Sequence, residues 1–126
     1  MLNQRSIDRL RGVKICLIDC LIEASKDSPY EFQIPPFGGC RTAEEQHGLF
    51  LKKVSKCDGY DKKSAHQTGM AYDIYLNKEV GKEMWNKPKL KEVQYHIKKI
   101  AVEKFKLNLS LGCDWKWKDY PHGEIK

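Results

Sequence analysis

No stretch of this sequence is apolar enough to cross a bilayer. The longest apolar run, Ile15 to Ile22, is broken by Asp19 and falls far short of the roughly 20 residues a spanning helix needs. A secretory leader pattern is also missing, because Arg5, Asp8, Arg9 and Arg11 crowd the N-terminus where an apolar stretch would stand. There is no repeat, low-complexity tract or linker. The five cysteines, Cys16, Cys20, Cys40, Cys57 and Cys113, include no CxxC pair. An odd count without that spacing argues against both a disulfide framework and a cysteine zinc knot, so reduced cysteines serving as small apolar side chains are expected. No nucleic-acid-binding motif accompanies the basic residues.

What remains is an ordinary globular composition. A chain of 126 residues, 40% hydrophobic and 32% charged, suits one domain over residues 1–126 with a core of its own. The net charge is +6, carried mainly by lysines scattered as doublets such as Lys52-Lys53, Lys62-Lys63 and Lys98-Lys99. That pattern fits solubility and a weak attraction to an anionic polymer such as a cell wall, not nucleic acid or membrane insertion. A monomer is expected.

Apolar periodicity predicts a helix from Ser6 to Ser25, capped by Ser6. Tyr30 to Ile34 reads as a strand, and the Pro35-Pro36-Phe37-Gly38-Gly39 run as a loop. Thr42 and Glu45 form a capping box opening a helix to about Lys56. Strands are expected at Met70–Leu76, Leu107–Cys113 and Gly123–Lys126, and a helix at Leu90–Phe105. Helices interleaved with short strands indicate an α+β domain with helices packed on a small antiparallel or mixed sheet.

Three segments carry residues suited to chemistry: Ser64 to Asp73, Asp119 to His122, and Gly39 to Thr42. His66 and Asp73 have the donor types zinc prefers, with ligand atoms about 2.0–2.2 Å from the metal. An extended chain would separate them by roughly 23 Å, so the chain must fold back between them, and Thr68-Gly69 supplies the turn. Asp73 also sits in a predicted strand, where aspartate is disfavoured. Among the other histidines, His47 and His96 lie in predicted helices without a partner at ligand spacing. His122 starts a strand and has Asp119 three residues upstream, where a carboxylate could act as general base for water without itself binding the metal. On the residues alone, a metal site and a set of unrelated surface residues both remain open.

The pattern SxHxxGxAxD, met by Ser64, His66, Gly69, Ala71 and Asp73, resembles the signature of the zinc D-alanyl-D-alanine peptidases, which include phage L-alanyl-D-glutamate endolysins. Asp119 and His122 resemble the later acid-x-x-His motif, Gly39-Cys40-Arg41-Thr42 the G-aromatic-R-T element with Cys40 in the aromatic position, and Gly112-Cys113-Asp114-Trp115 the GxDW element. The resemblance spans roughly Tyr30 to Ile125, and the Ser28-to-Phe32 entry is similar to the endolysin subgroup. It implies the fold shared with the hedgehog N-terminal domain and hydrolysis of peptidoglycan stem peptides. His66, Asp73 and His122 become zinc ligands and Asp119 the base. Arg41 becomes a substrate contact near the scissile carbonyl, and Ser64 an orienting group for substrate or His66. Trp115, Trp117 and Tyr120 are candidate cleft residues. The implied activity is cleavage of the L-Ala–D-Glu bond. The alternatives are a D-Ala-D-Ala carboxypeptidase and a catalytically inactive wall-binding module of the same fold. Such an enzyme is expected in the host bacterial cytoplasm, released to the wall without a signal of its own.

Overall fold

In the computed structural model, which describes residues 1–126, the first helical stretch divides in two. It forms α1 (Gln4–Arg9) and α2 (Ile15–Ser25). The break falls at Gly12, whose φ of +92° lies where glycine is favoured. The turn brings Gly12 against Cys40, where a Cβ would stand 2.9 Å from Cys40 Cβ, while Leu10 and Val13 on either side are buried in the core. The cap is Asn3 instead of Ser6, since Asn3 Oδ1 accepts from the Ser6 N–H at 2.8 Å. Ser6 is buried; its hydroxyl donates to Gln33 Oε1 at 2.6 Å and accepts from the Ile34 N–H at 2.9 Å. It thereby stitches α1 to the segment after α2.

That segment, expected as a strand, makes only one antiparallel bridge, Gln33 to Tyr75. Pro35 and Pro36 follow at once and offer no ladder donors. Helix α3 (Ala43–Leu51) opens with the expected capping box: Thr42 Oγ1 accepts from the Glu45 N–H and Glu45 Oε1 from the Thr42 N–H. It stops well short of Lys56, and Lys53 takes a left-handed φ of +61°. Helix α4 (Lys87–Phe105) begins ahead of Leu90, because Asn86 caps it and Pro88 occupies its first turn.

The strands are shorter than the sequence suggested. They are β1 (Ala71–Asp73), β2 (Leu109–Leu111) and β3 (His122–Ile125), joined antiparallel in the order β1-β3-β2. The architecture is therefore α+β, with an antiparallel sheet. Helices α2 and α4 pack together, burying Leu17, Cys20, Leu21 and Ala24 of the one and Leu90, Val93, Ile97 and Ala101 of the other. Alternation along the strands separates two functions. Tyr72 turns inward and donates through its hydroxyl to Gln94 Oε1 of α4 at 2.6 Å. Its ring lies so close to Gly123 that a Cβ there would stand 2.3 Å from the hydroxyl oxygen. Asp73, His122 and Glu124 occupy the opposite face and look into a cleft.

Candidate metal centre

Asp73 on β1 and His122 on β3 are register partners, and opposed side chains of an antiparallel pair stand about 5 Å apart at Cβ. His66 reaches the same point from a 3-10 turn, Ala65–Thr68, that the sequence showed only as a loop. Ser64 caps the turn by accepting from the His66 N–H at 3.2 Å, and Gly69 closes it with φ +72°. A Cβ on Gly69 would meet the Gly12 carbonyl oxygen at 2.3 Å, and the Lys14 N–H bonds the Gly69 carbonyl at 2.9 Å. The turn is thus clamped to the α1–α2 connection.

The three ligand-type atoms form a nearly equilateral triangle. His66 Nε2 lies 3.2 Å from His122 Nδ1, and each nitrogen lies 3.4 Å from Asp73 Oδ1. Tetrahedral bonds of about 2.0–2.1 Å separate neighbouring donor atoms by about 3.3–3.4 Å, so the spacing fits a cation at the common point. The outer hydrogen bonds decide which nitrogens are free. His66 Nδ1 donates to the Gly39 carbonyl at 2.8 Å, and His122 Nε2 donates to Glu124 Oε1 at 2.7 Å. With those protons placed outward, both inward nitrogens present lone pairs. Asp73 Oδ1 is buried and has no hydrogen-bond partner, because its two contacts at 3.4 Å lack hydrogen-bond geometry. Neutral rings so oriented converge three acceptors on one point, and His66, Asp73 and His122 could together hold a metal ion.

Electrostatics point the same way. Burial would raise the Asp73 carboxyl, but His122 and His66 outweigh it and hold the group well below the usual carboxylate range. Burial would lower His122, yet Asp73, Glu124 and Asp119 together lift it to about 9. The field of three carboxylates favours a positive charge in the triangle, a proton on His122 or a cation in its place. Asp119 is on the cleft wall, tied by its N–H to the Gly112 carbonyl at 2.9 Å and by its carbonyl to the His122 N–H at 3.1 Å. Although the residue is exposed overall, desolvation by its surroundings and then the charge of Asp73 raise its carboxyl pKa.

Arg41 is more engaged than the sequence suggested. Its guanidinium donates to the Phe37 carbonyl at 2.7 Å, to Gln46 Oε1 at 3.0 Å and to Asp73 Oδ2 at 2.9 Å, and its side chain is 10% exposed. Two of its five N–H groups remain unassigned, and it still lines the cleft. The cleft, about 790 Å³, also contains Ser64, Trp115, Trp117 and Asp119. Trp115 packs its ring 5.0 Å from that of His122, while Trp117 is 72% exposed at the rim. Tyr120 instead packs against the core.

Sequence reasoning missed Glu124, Gln46 and the Gly39 carbonyl. Glu124 was within reach, since residues two apart on a strand share a face. Gln46 was not: it looks like a surface residue of α3, yet is fully buried and donates to Ser55 Oγ and the Cys57 carbonyl. Gly39 acts through its backbone, and a Cβ there would stand 2.0 Å from the Arg9 carbonyl oxygen.

The fold is similar to that of a crystal structure of Serratia marcescens L-Ala D-Glu endopeptidase ChiX, with a TM-score of 0.80, 23% identity, and coverage of 100% of this chain and 90% of that one. Among curated proteins there is no match. The family model for phage L-alanyl-D-glutamate peptidase matches residues 1–126. With its whole length so matched, the chain belongs to the phage L-alanyl-D-glutamate peptidase family.

Proposed function

We propose that this peptidoglycan peptidase works as a zinc-dependent endolysin, one domain over residues 1–126, that hydrolyses the L-Ala–D-Glu bond of stem peptides. The observation that carries the zinc reading is the triangle of His66 Nε2, Asp73 Oδ1 and His122 Nδ1 around a buried, unpartnered oxygen. Two neutral imidazoles and one carboxylate suit zinc, and three protein ligands leave a position open, as catalytic sites do. When bound, zinc supplies Lewis acidity next to the scissile amide.

The chain's own residues do the rest. Asp119 takes a proton from the attacking water on its carboxylate and passes it to the leaving amine. Its raised pKa brings it closer to the range where one group can both accept and return a proton. Arg41 holds Asp73 by Oδ2, leaving Oδ1 for the ion, and its spare N–H groups stand ready for the developing oxyanion. Ser64 orients His66 through the capped turn, and Glu124 and the Gly39 carbonyl fix the two histidine tautomers.

Incubation with purified muropeptides, followed by mass spectrometry, tests the reading. Release of a peptide beginning with D-Glu is the expected result. Release of terminal D-Ala would identify a carboxypeptidase, and intact muropeptides from zinc-loaded protein would identify a binding module.

A further inference from the structure

The lysines that looked scattered along the sequence are gathered in space. Lys53, Lys56, Lys63 and Lys118 come from three separate segments and line the same cleft as the histidine–aspartate triangle. Together with Arg41 they set five cationic side chains against the carboxylates of Asp73, Asp119 and Glu124. Two of those carboxylates are committed, Asp73 to Arg41 and Glu124 to His122. None of the four lysines has a carboxylate partner, whereas Lys26, Lys78, Lys89 and Lys104 elsewhere on the surface do. Lys118 donates only to the Cys113 carbonyl, at 3.2 Å. Lys56 is steadied over the exposed Trp117 ring, its Nζ 4.3 Å from the centroid, which fixes a charge at the rim. Unpaired ammonium groups converging on one concavity focus a positive potential there, and a bound divalent ion would add to it.

We infer that this lysine rim is a carboxylate-binding subsite that selects substrates by the acidic group beside the scissile bond. The inference rests on the peptidase reading and deepens it. A glutamyl residue has two carboxyl groups, and at most one of them continues the peptide. The other stays a free carboxylate only a few bonds from the nitrogen released by cleavage, so it must lie in the same cleft as the triangle. Lysine suits such a task as a flexible point charge that attracts and retains an anion without a fixed fork geometry. The rim therefore acts on capture of substrate, raising KM when weakened and leaving the chemical step to Asp119 and the metal ligands.

The test uses two synthetic stem peptides that differ only in the free glutamyl carboxylate, which is intact in one and amidated in the other. Kinetics are compared for the wild type, for K53Q/K56Q/K63Q, and for K82Q/K99Q, whose exposed lysines lie outside the cleft. The wild type should favour the acidic peptide by about tenfold or more in kcat/KM, through KM, and the preference should shrink as salt screens the rim. The triple variant should lose most of that preference with kcat and metal content retained; the outside variant should keep it. Equal cleavage of both peptides by the wild type would overturn the rim, as would a triple variant with undiminished preference. The substrate comparison in the wild type stands even if the triple variant folds poorly. Zinc-loaded wild type that cuts neither peptide would overturn the peptidase reading itself, and the rim with it.

Discussion

Asp73 and His122 face each other across the β1–β3 pair, so one hydrogen-bonded register places two of the three candidate ligands. A slip of one residue would turn every side chain of the strand to the other face. The site is therefore as stable as the sheet register, and the core face of the sheet protects that register through Tyr72 against Gly123.

Asp73 and Asp119 should separate cleanly by mutation. Asp73→Ala removes a coordinating oxygen and should lose zinc together with activity. Asp119→Asn should keep about one zinc per chain while losing roughly 10²–10⁴-fold in rate. Elemental analysis beside turnover decides it: zinc lost from Asp119→Asn but kept by Asp73→Ala would reverse the two roles.

Glu124 should matter through His122. Removing the acceptor for His122 Nε2 frees the ring to rotate or change tautomer, and such outer partners typically contribute about 10–100-fold in metal affinity. Competition with a chelator should show that loss for Glu124→Ala. Glu124→Gln, which keeps an acceptor oxygen, should recover part of it. Unchanged affinity in both variants would reduce Glu124 to a surface residue.

Arg41→Ala should lower turnover by about 10²–10³-fold if its free N–H groups meet the oxyanion. Because Arg41 also holds Asp73 Oδ2 at 2.9 Å, some weakening of zinc binding should accompany the loss. Arg41→Lys should not restore activity, since an ammonium cannot match three fixed partners in the guanidinium plane. Wild-type turnover in Arg41→Ala would leave it a helix-start residue alone.

Gly123→Ala tests the coupling of core to site. The new methyl would collide with the Tyr72 ring, forcing the ring or β3 to shift. Overpacking of this kind costs about 1–3 kcal/mol, which urea unfolding should report. Metal affinity should fall as well, since β3 carries His122. Normal stability and normal affinity would show that the Tyr72 contact does not fix the register.

The segments of the candidate site were marked in the sequence by local features and by the family resemblance. The Ser64–Asp73 segment carries a turn glycine and an aspartate misplaced in a strand, and Asp119 precedes His122 at short spacing, so chain geometry restricts where those side chains can go. Thr42 and Glu45 likewise marked a helix start by reciprocal hydrogen bonds that depend only on neighbouring residues. Apolar periodicity located the buried faces of α2 and α4. It could not reveal that Gly12 divides the first helix, because the residues on both sides keep helical spacing and the contacts made at the turn, with Cys40 and Gly69, come from distant segments.

The sequence by itself determined the α+β class and the excess of lysine, which follow from residue types and periodicity, and it held the residue types of the candidate centre, which the family resemblance singled out as ligands. Tertiary structure alone decided which nitrogen of each histidine faces inward, that Arg41 grips Asp73, that Gln46 is buried, and that lysines far apart in the chain border one cleft. Each of those depends on contacts between segments distant in sequence, set when β1 pairs with β3 and the sheet closes on α4. Spacing along a chain carries no record of such meetings, because a side chain's partners are chosen by the packing of whole elements.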